Sequence, residues 1–190
     1  MEMSFEVISG VEKMPRTAWE ALESAEGEQW GTAMDEELAR LREMGMWELT
    51  EDMPEGCVPI GNRWVFTKKK DENGNTIRCK ARLITQGFSQ KPRTDYSNNG
   101  TFAPIMRFES LRTAFGMAAI HRWDMRQMDI KTAYVNGYLE EEIYMVQPLG
   151  FDDGTGCVCR LRQSLYGLKQ AGNIWNRHET RQWRSWGTRS

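Results

Sequence analysis

Residues 64–85 constrain the fold more than any other stretch. Trp64-Val65-Phe66-Thr67 and residues 76–85 are strand-like, and Lys70-Asp71-Glu72-Asn73-Gly74-Asn75 joins them. Asn-Gly tolerates the positive φ that a tight reversal demands, so the spacing predicts a β-hairpin. A period of two sends Arg78, Lys80 and Arg82 to one face and Ile77, Cys79, Ala81 and Leu83 to the other. One face is cationic and the other can pack.

Charge is partitioned along the chain in the same sense. Residues 60–93 hold nine basic and two acidic side chains, a local +7, whereas residues 1–56 hold fifteen acidic and four basic, a local −11; the whole chain nets −2. A +7 block attracts polyanions even when the protein as a whole is acidic. A solvated surface hairpin would carry the same charge, so the block alone does not decide between the two.

The acidic leader is expected to be helical. Thr17-x-x-Glu20 has the capping-box pattern, and Trp30, Met34, Leu38 and Leu41 recur on one helical face that Gly45 can end. Residues 86–108 form a long Gly/Pro/Ser/Asn-rich connection, after which Ser110 is placed to cap a helix bearing Leu111, Ala114, Phe115, Ala118 and Ala119. Strands are expected at 126–130, 143–147 and 158–161, with helix from Gln170 onward. Helices interleaved with strands over 190 residues give one α+β or α/β domain, with room for a short appendage.

Several function classes fall away. No apolar run approaches the ~20 residues that cross a bilayer, so no membrane association is expected, and residues 1–6 lack the basic and apolar regions of a secretory signal. Cys57, Cys79, Cys157 and Cys159 are too few for a disulfide framework and point to a reducing compartment. His121 and His178 lack metal-ligand spacing, and Cys157-x-Cys159 lacks a second pair. Neither a nucleophile elbow nor a phosphate-binding glycine loop is present. What remains is Asp129, in Gln127-Met128-Asp129-Ile130-Lys131-Thr132-Ala133-Tyr134, which alternation separates from Met128 and Ile130. By itself it is an exposed or capping acid as readily as a catalytic one.

A family resemblance gathers these pieces. Trp64-Val65-Phe66 with Lys80-Ala81-Arg82-Leu83-Ile84-Thr85-Gln86-Gly87-Phe88-Ser89-Gln90 resembles the fingers of copia-type retrotransposon reverse transcriptases. Asp95-Tyr96, Thr101-Phe102-Ala103-Pro104, the Gln127–Tyr134 block, 141–151 and Ser164-Leu165-Tyr166-Gly167-Leu168-Lys169-Gln170-Ala171 follow in that family's order over residues 47–175. The resemblance implies an α+β fold of fingers and an incomplete palm (47–175) behind a helical leader (1–46), followed by a basic tail (176–190) unlike the family. It implies an RNA-directed DNA polymerase, adding dNTPs to a primer on an RNA or DNA template with two Mg²⁺, in the cytoplasm within a virus-like particle or in the nucleus. Asp129 matches the first metal-binding aspartate of the palm. Tyr134 matches the ring beneath the sugar that rejects a 2′-hydroxyl. Lys69, Lys80 and Arg82 are candidates for the cations that neutralise the triphosphate, Lys80 and Arg82 foremost, and Gln170 matches a residue that helps hold the incoming nucleotide and template.

The pattern then breaks. A two-metal phosphoryl transfer needs more than one carboxylate, and the family's Tyr-x-Asp-Asp hairpin, expected after Gly167–Gln170, is missing from these residues. The adjacent pair Asp152-Asp153 precedes that block, in Asp-Asp-Gly-Thr-Gly, where turn chemistry accounts for it. The expectation is therefore a truncated polymerase domain, inactive alone. The alternatives are a noncatalytic nucleic-acid-binding module, suggested by the +7 hairpin and the basic tail, and a remnant without present activity.

Overall fold

The computed structural model describes residues 14–97, 100–127, 129–130 and 132–187, with side chains through Arg181. Met128 and Lys131 of the Asp129 block, the first thirteen residues and the end of the basic tail lie outside the described residues. Helix α1 (Ala18–Glu23) is capped by Thr17, whose hydroxyl accepts from the Glu20 amide at 3.1 Å, while the Glu20 carboxylate reaches one residue past the cap and accepts from the Arg16 amide at 2.7 Å. Helix α2 (Gly27–Glu43) buries Trp30, Ala33, Met34, Leu38 and Leu41 along one stripe, and Gly45 follows it in the left-handed region at φ +64°. Next come β1 (Trp47–Thr50), the hairpin β2 (Asn62–Lys70) and β3 (Thr76–Thr85), α3 (Phe108–His121), β4 (Tyr138–Met145), β5 (Val158–Gln163) and α4 (Ala171–Gly187).

The hairpin forms with the predicted faces. β2 and β3 pair antiparallel from Asn62↔Thr85 to Lys69↔Arg78, with an irregularity between Lys69 and Lys70. Asp71 Oδ1 closes the turn by accepting from the amides of Asn73 (2.9 Å) and Asn75 (2.8 Å), and Gly74 takes φ +87°. Trp64, Phe66, Cys79, Ala81 and Leu83 are buried, while Lys69, Lys80 and Arg82 occupy the opposite face. Ile77 departs from the pattern because it sits beside the turn, where nothing packs over it.

The second sheet has the order β1–β5–β4, antiparallel throughout. It is stitched to the hairpin through Ile60, whose amide donates to the Tyr144 carbonyl (2.8 Å) and whose carbonyl accepts from Val146 (3.0 Å). Trp64 Nε1 adds a bond to the Leu149 carbonyl at 3.1 Å. One core results. Trp30 meets Phe66 edge-on, centroids 5.2 Å apart at 72°, and the cluster continues through Leu83 to Ile143, Met145, Cys159 and Leu161. Each large side chain buried this way stabilises the fold by about 1.5–3 kcal/mol. The helices of the leader thus share their interior with both sheets.

Two glycines fix the exit of the hairpin. The Thr85 amide donates to the Tyr166 carbonyl at 2.7 Å. A Cβ on Gly87 would lie 2.0 Å from the Gly167 carbonyl oxygen, and one on Gly167, at φ +95°, would lie 2.2 Å from that of Thr85. Backbone fills both spaces, so no side chain fits.

Two expectations are corrected. Helix α3 starts at Phe108, which places Ser110 inside the first turn, and no side chain caps it. Its apolar residues are largely exposed; Ala118 alone among the described residues of α3 is buried. The described residues of 126–130 form no strand, because no neighbouring strand among the described residues supplies backbone partners. The architecture is mixed α+β.

Candidate functional site

The cationic face of the hairpin forms one wall of a cavity of about 850 Å³. Lys69, Arg78, Lys80 and Arg82 project from this wall, and Glu36, Glu37 and Arg40 reach it from α2. Asp129, Ile130, Thr132, Ala133 and Tyr134 also line this cavity. Thr132 takes φ +58° and leads into a single 3-10 turn, Ala133–Val135, whose Val135 is wholly buried. That anchor leaves the Tyr134 ring on the lining, 47% exposed. A smaller cavity of about 120 Å³, lined by residues 56–60 and by Ser89, Lys91, Thr94 and Asp95, contains none of the predicted site residues.

Five of the six residues singled out in the sequence therefore meet: Lys69, Lys80, Arg82, Asp129 and Tyr134 line the same cavity. Gln170 does not. It is buried, its Oε1 accepts from Gln90 Nε2 (3.1 Å) and its Nε2 donates to the Asp95 carbonyl (2.9 Å), so its amide ties the start of α4 to the 86–97 connection.

Electrostatics in the cavity are unbalanced. Arg78 pairs with Glu36 at 2.6 Å, and Arg40 pairs with Glu37. Burial pushes the Lys80 ammonium below the usual lysine range, and the charges of Arg82, Arg40 and Lys69 push it further, against the pull of Glu37. Burial likewise raises the Glu37 carboxyl, opposed by Arg40, Arg82 and Lys80. Arg82 also lies over the Tyr166 ring, 5.9 Å from its centroid, and burial raises the Tyr166 phenol. Such a surface suits a compact polyanion.

Glu37 and Arg40 are not among the site candidates that the sequence gives, although a signal is there. Glu37 falls on the apolar stripe of α2 between Met34 and Leu41, and an acid at a core position needs a partner; Arg40, three residues on, is within reach.

The donors do not amount to a two-ion centre. Among the described residues no three His, Cys, Asp or Glu side chains converge on a common point. Mg²⁺ takes six oxygens, and a pair of ions ~3.5–4 Å apart needs carboxylates that bridge them; Asp129 alone does not fit that requirement. Asp152 and Asp153 serve the turn instead. Asp152 Oδ1 accepts from the Gly154 amide (2.8 Å), and Asp153 Oδ1 from Thr155 Oγ1 (2.6 Å) and Gln147 Nε2 (2.7 Å). Those bonds from Thr155 and Gln147 hold the Asp153 carboxyl below the usual range. Burial pushes the Cys159 thiol up to about 12, as befits an unreactive core residue.

Comparison with known proteins bears on this geometry. The sequence model of a family described as "Reverse transcriptase (RNA-dependent DNA polymerase)" matches residues 44–185. The chain is 39% identical over 174 residues to the retrovirus-related Pol polyprotein from transposon RE1 of Arabidopsis thaliana, covering 90% of the chain and 12% of that protein. It is 40% identical over 171 residues to the corresponding polyprotein from transposon TNT 1-94 of Nicotiana tabacum, covering 89% and 13%. Identity to the transposon Ty1-DR4 Gag-Pol polyprotein of Saccharomyces cerevisiae is 30% over 156 residues, covering 79% and 8%. The chain thus spans about an eighth or less of these relatives' length. No solved structure matches.

Proposed function

Because the chain belongs to the reverse transcriptase (RNA-dependent DNA polymerase) family, we propose that it forms the nucleotide-contacting fingers and first part of the palm of a copia-type retrotransposon polymerase. Reverse transcriptases generally bind a template–primer and use Mg²⁺. In this proposal Lys80 and Arg82, with Lys69 further out, neutralise the triphosphate of an incoming dNTP. The Tyr134 ring lies under the sugar and leaves no room for a 2′-hydroxyl. Asp129 lies on the same lining and corresponds to one carboxylate of the family's metal site, which it does not form by itself. Gln170 acts at one remove, by fixing the connection between hairpin and α4.

One observation carries the proposal: a single cavity joins Asp129 and Tyr134 to Lys69, Lys80 and Arg82, although Arg82 and Asp129 lie 47 positions apart in the chain. Of the three lining carboxylates, Glu36 and Glu37 are paired with Arg78 and Arg40, which leaves Asp129, so the 190 residues are expected to bind dNTPs without extending a primer. Equilibrium dialysis with labelled dTTP should show binding that Lys80→Ala combined with Arg82→Ala abolishes; undiminished binding in that variant overturns the assignment. Extension of a primed RNA template with Mg²⁺ or Mn²⁺ should stay at background, and incorporation that disappears in Asp129→Ala overturns the inactivity. Binding of RNA or DNA without any binding of dTTP would favour the noncatalytic module, which the +7 hairpin also suits.

A further inference from the structure

We propose that Arg40, carried by the leader helix α2 and steered by the buried Glu37, is a further phosphate-binding residue of the cavity, contacting a polyphosphate alongside Lys80 and Arg82. The inference rests on the cavity being a nucleotide site.

Three observations lead there. Glu37 is 4% exposed, yet Arg40 is its sole ion-pair partner among the described residues, and one of its oxygens, Oε1, makes no hydrogen bond. A carboxylate in a core stripe destabilises the helix packing unless it does something else; here it holds a guanidinium at the cavity wall. Second, the Nε donors of both Arg40 and Arg82 are buried without an acceptor. Orphaned buried donors are rare in folded proteins, and two on side chains that line the same cavity call for an acceptor that a phosphate oxygen would supply. Third, Lys69, Lys80, Arg82 and Arg40 crowd together with too little negative charge between them, as the mutual repulsion felt by Lys80 records.

The chemistry of arginine fits the task. Its guanidinium offers five N–H donors in a planar fork. Pairing with Glu37 occupies part of that fork, fixes its orientation and leaves the remaining donors for a phosphate. The rival explanation is that Arg40 merely neutralises Glu37. The two differ when both charges are removed together, because the net charge of the cavity then stays the same.

The test is a titration of the whole chain with inorganic triphosphate, dTTP and dTMP by calorimetry, with a melting curve for each variant. In Glu37→Gln/Arg40→Gln the affinity for triphosphate and dTTP should fall about tenfold, the worth of one lost charge-assisted hydrogen bond, and that for dTMP by less. Arg40→Lys leaves Glu37 its counter-charge but lacks the planar fork, and should lose affinity about threefold or more even if the double variant fails to fold. Wild-type affinity in the variants overturns the role of Arg40 while the nucleotide reading stands. An equal loss for dTMP and dTTP does the same. A wild-type chain that binds neither triphosphate nor dTTP overturns both.

Discussion

Replacing Trp30 with alanine probes whether the leader is part of the domain or an attachment to it. The indole is fully buried, meets Phe66 edge-on at 5.2 Å, and has Lys68 Nζ 6.0 Å from its ring centroid. Loss of a buried Trp to Ala typically costs about 3–5 kcal/mol, and the aromatic pair adds ~0.5–1.5 kcal/mol beyond that burial. An opposing contribution comes from Trp30 Nε1, which is buried without an acceptor; deleting it relieves a penalty of about 1–3 kcal/mol. The net loss should be about 3 kcal/mol, a large part of the ~5–15 kcal/mol that stabilises a typical domain. With a urea m-value of ~2 kcal/mol/M, the midpoint should drop by about 1.5 M without a change in slope. Trp30→Phe keeps an aromatic ring and removes the orphaned N–H, so it should cost far less. Far-UV circular dichroism and tryptophan emission should give coincident curves. A loss under ~1 kcal/mol, or a helical transition preceding the rest, would show that α2 docks on the sheets without sharing their core.

Other expectations follow from the same geometry. Lys80→Ala with Arg82→Ala should weaken binding of nucleic acid regardless of sequence and flatten log K against log salt by roughly one to two units; an unchanged slope would make these side chains solvated surface. In a polymerase completed with a family palm, Tyr134→Ala should raise the ribo/deoxy ratio of kcat/KM; because the ring is half-exposed, stability should change little, and a collapse of stability at a constant ratio would make Tyr134 a packing residue. Burial raises the Glu37 carboxyl above its ordinary 4.5, so just above that pH the folded chain holds a proton the unfolded chain has released, and stability falls as pH rises through the window. Glu37→Gln should remove that decline in melting temperatures taken from pH 4.5 to neutrality; parallel curves for wild type and variant would refute it.

Local periodicity made the hairpin and α2 legible. Alternation at 76–85 and the stripe from Trp30 to Leu41 each record a face that the structure buries. β1 escaped notice because Trp47–Thr50 is four residues long and owes its conformation to pairing with β5, more than a hundred positions away. The apolar face of α3 shows the converse limit: spacing reveals that a helix is amphipathic, not that something covers it. At 126–130 the residue types suit a strand, but a strand also needs a neighbour, which no property of those residues can supply. In the site, motif order brought Asp129, Tyr134, Lys80 and Arg82 into view, whereas Gln170 carries the right motif and yet spends both ends of its amide on Gln90 and Asp95. Glu37 is hard to read from sequence because an acid is almost never fully buried unless it is paired.

The glycine pair at the hairpin exit has a consequence for how copies of such a gene age. Every missense change at Gly87 or Gly167 adds at least a Cβ where backbone oxygen already sits, at 2.0 and 2.2 Å. Gly116, in the middle of exposed α3, has open space around its absent Cβ, and Gly→Ala there should strengthen the helix by about 1 kcal/mol. Mutation strikes the three codons alike. Sister copies that drift without purpose will accumulate changes equally at all three, whereas copies whose product must still fold will vary at Gly116 and stay unchanged at Gly87 and Gly167. The three glycines together act as an internal counter, separating a decaying remnant from a sequence still kept by selection.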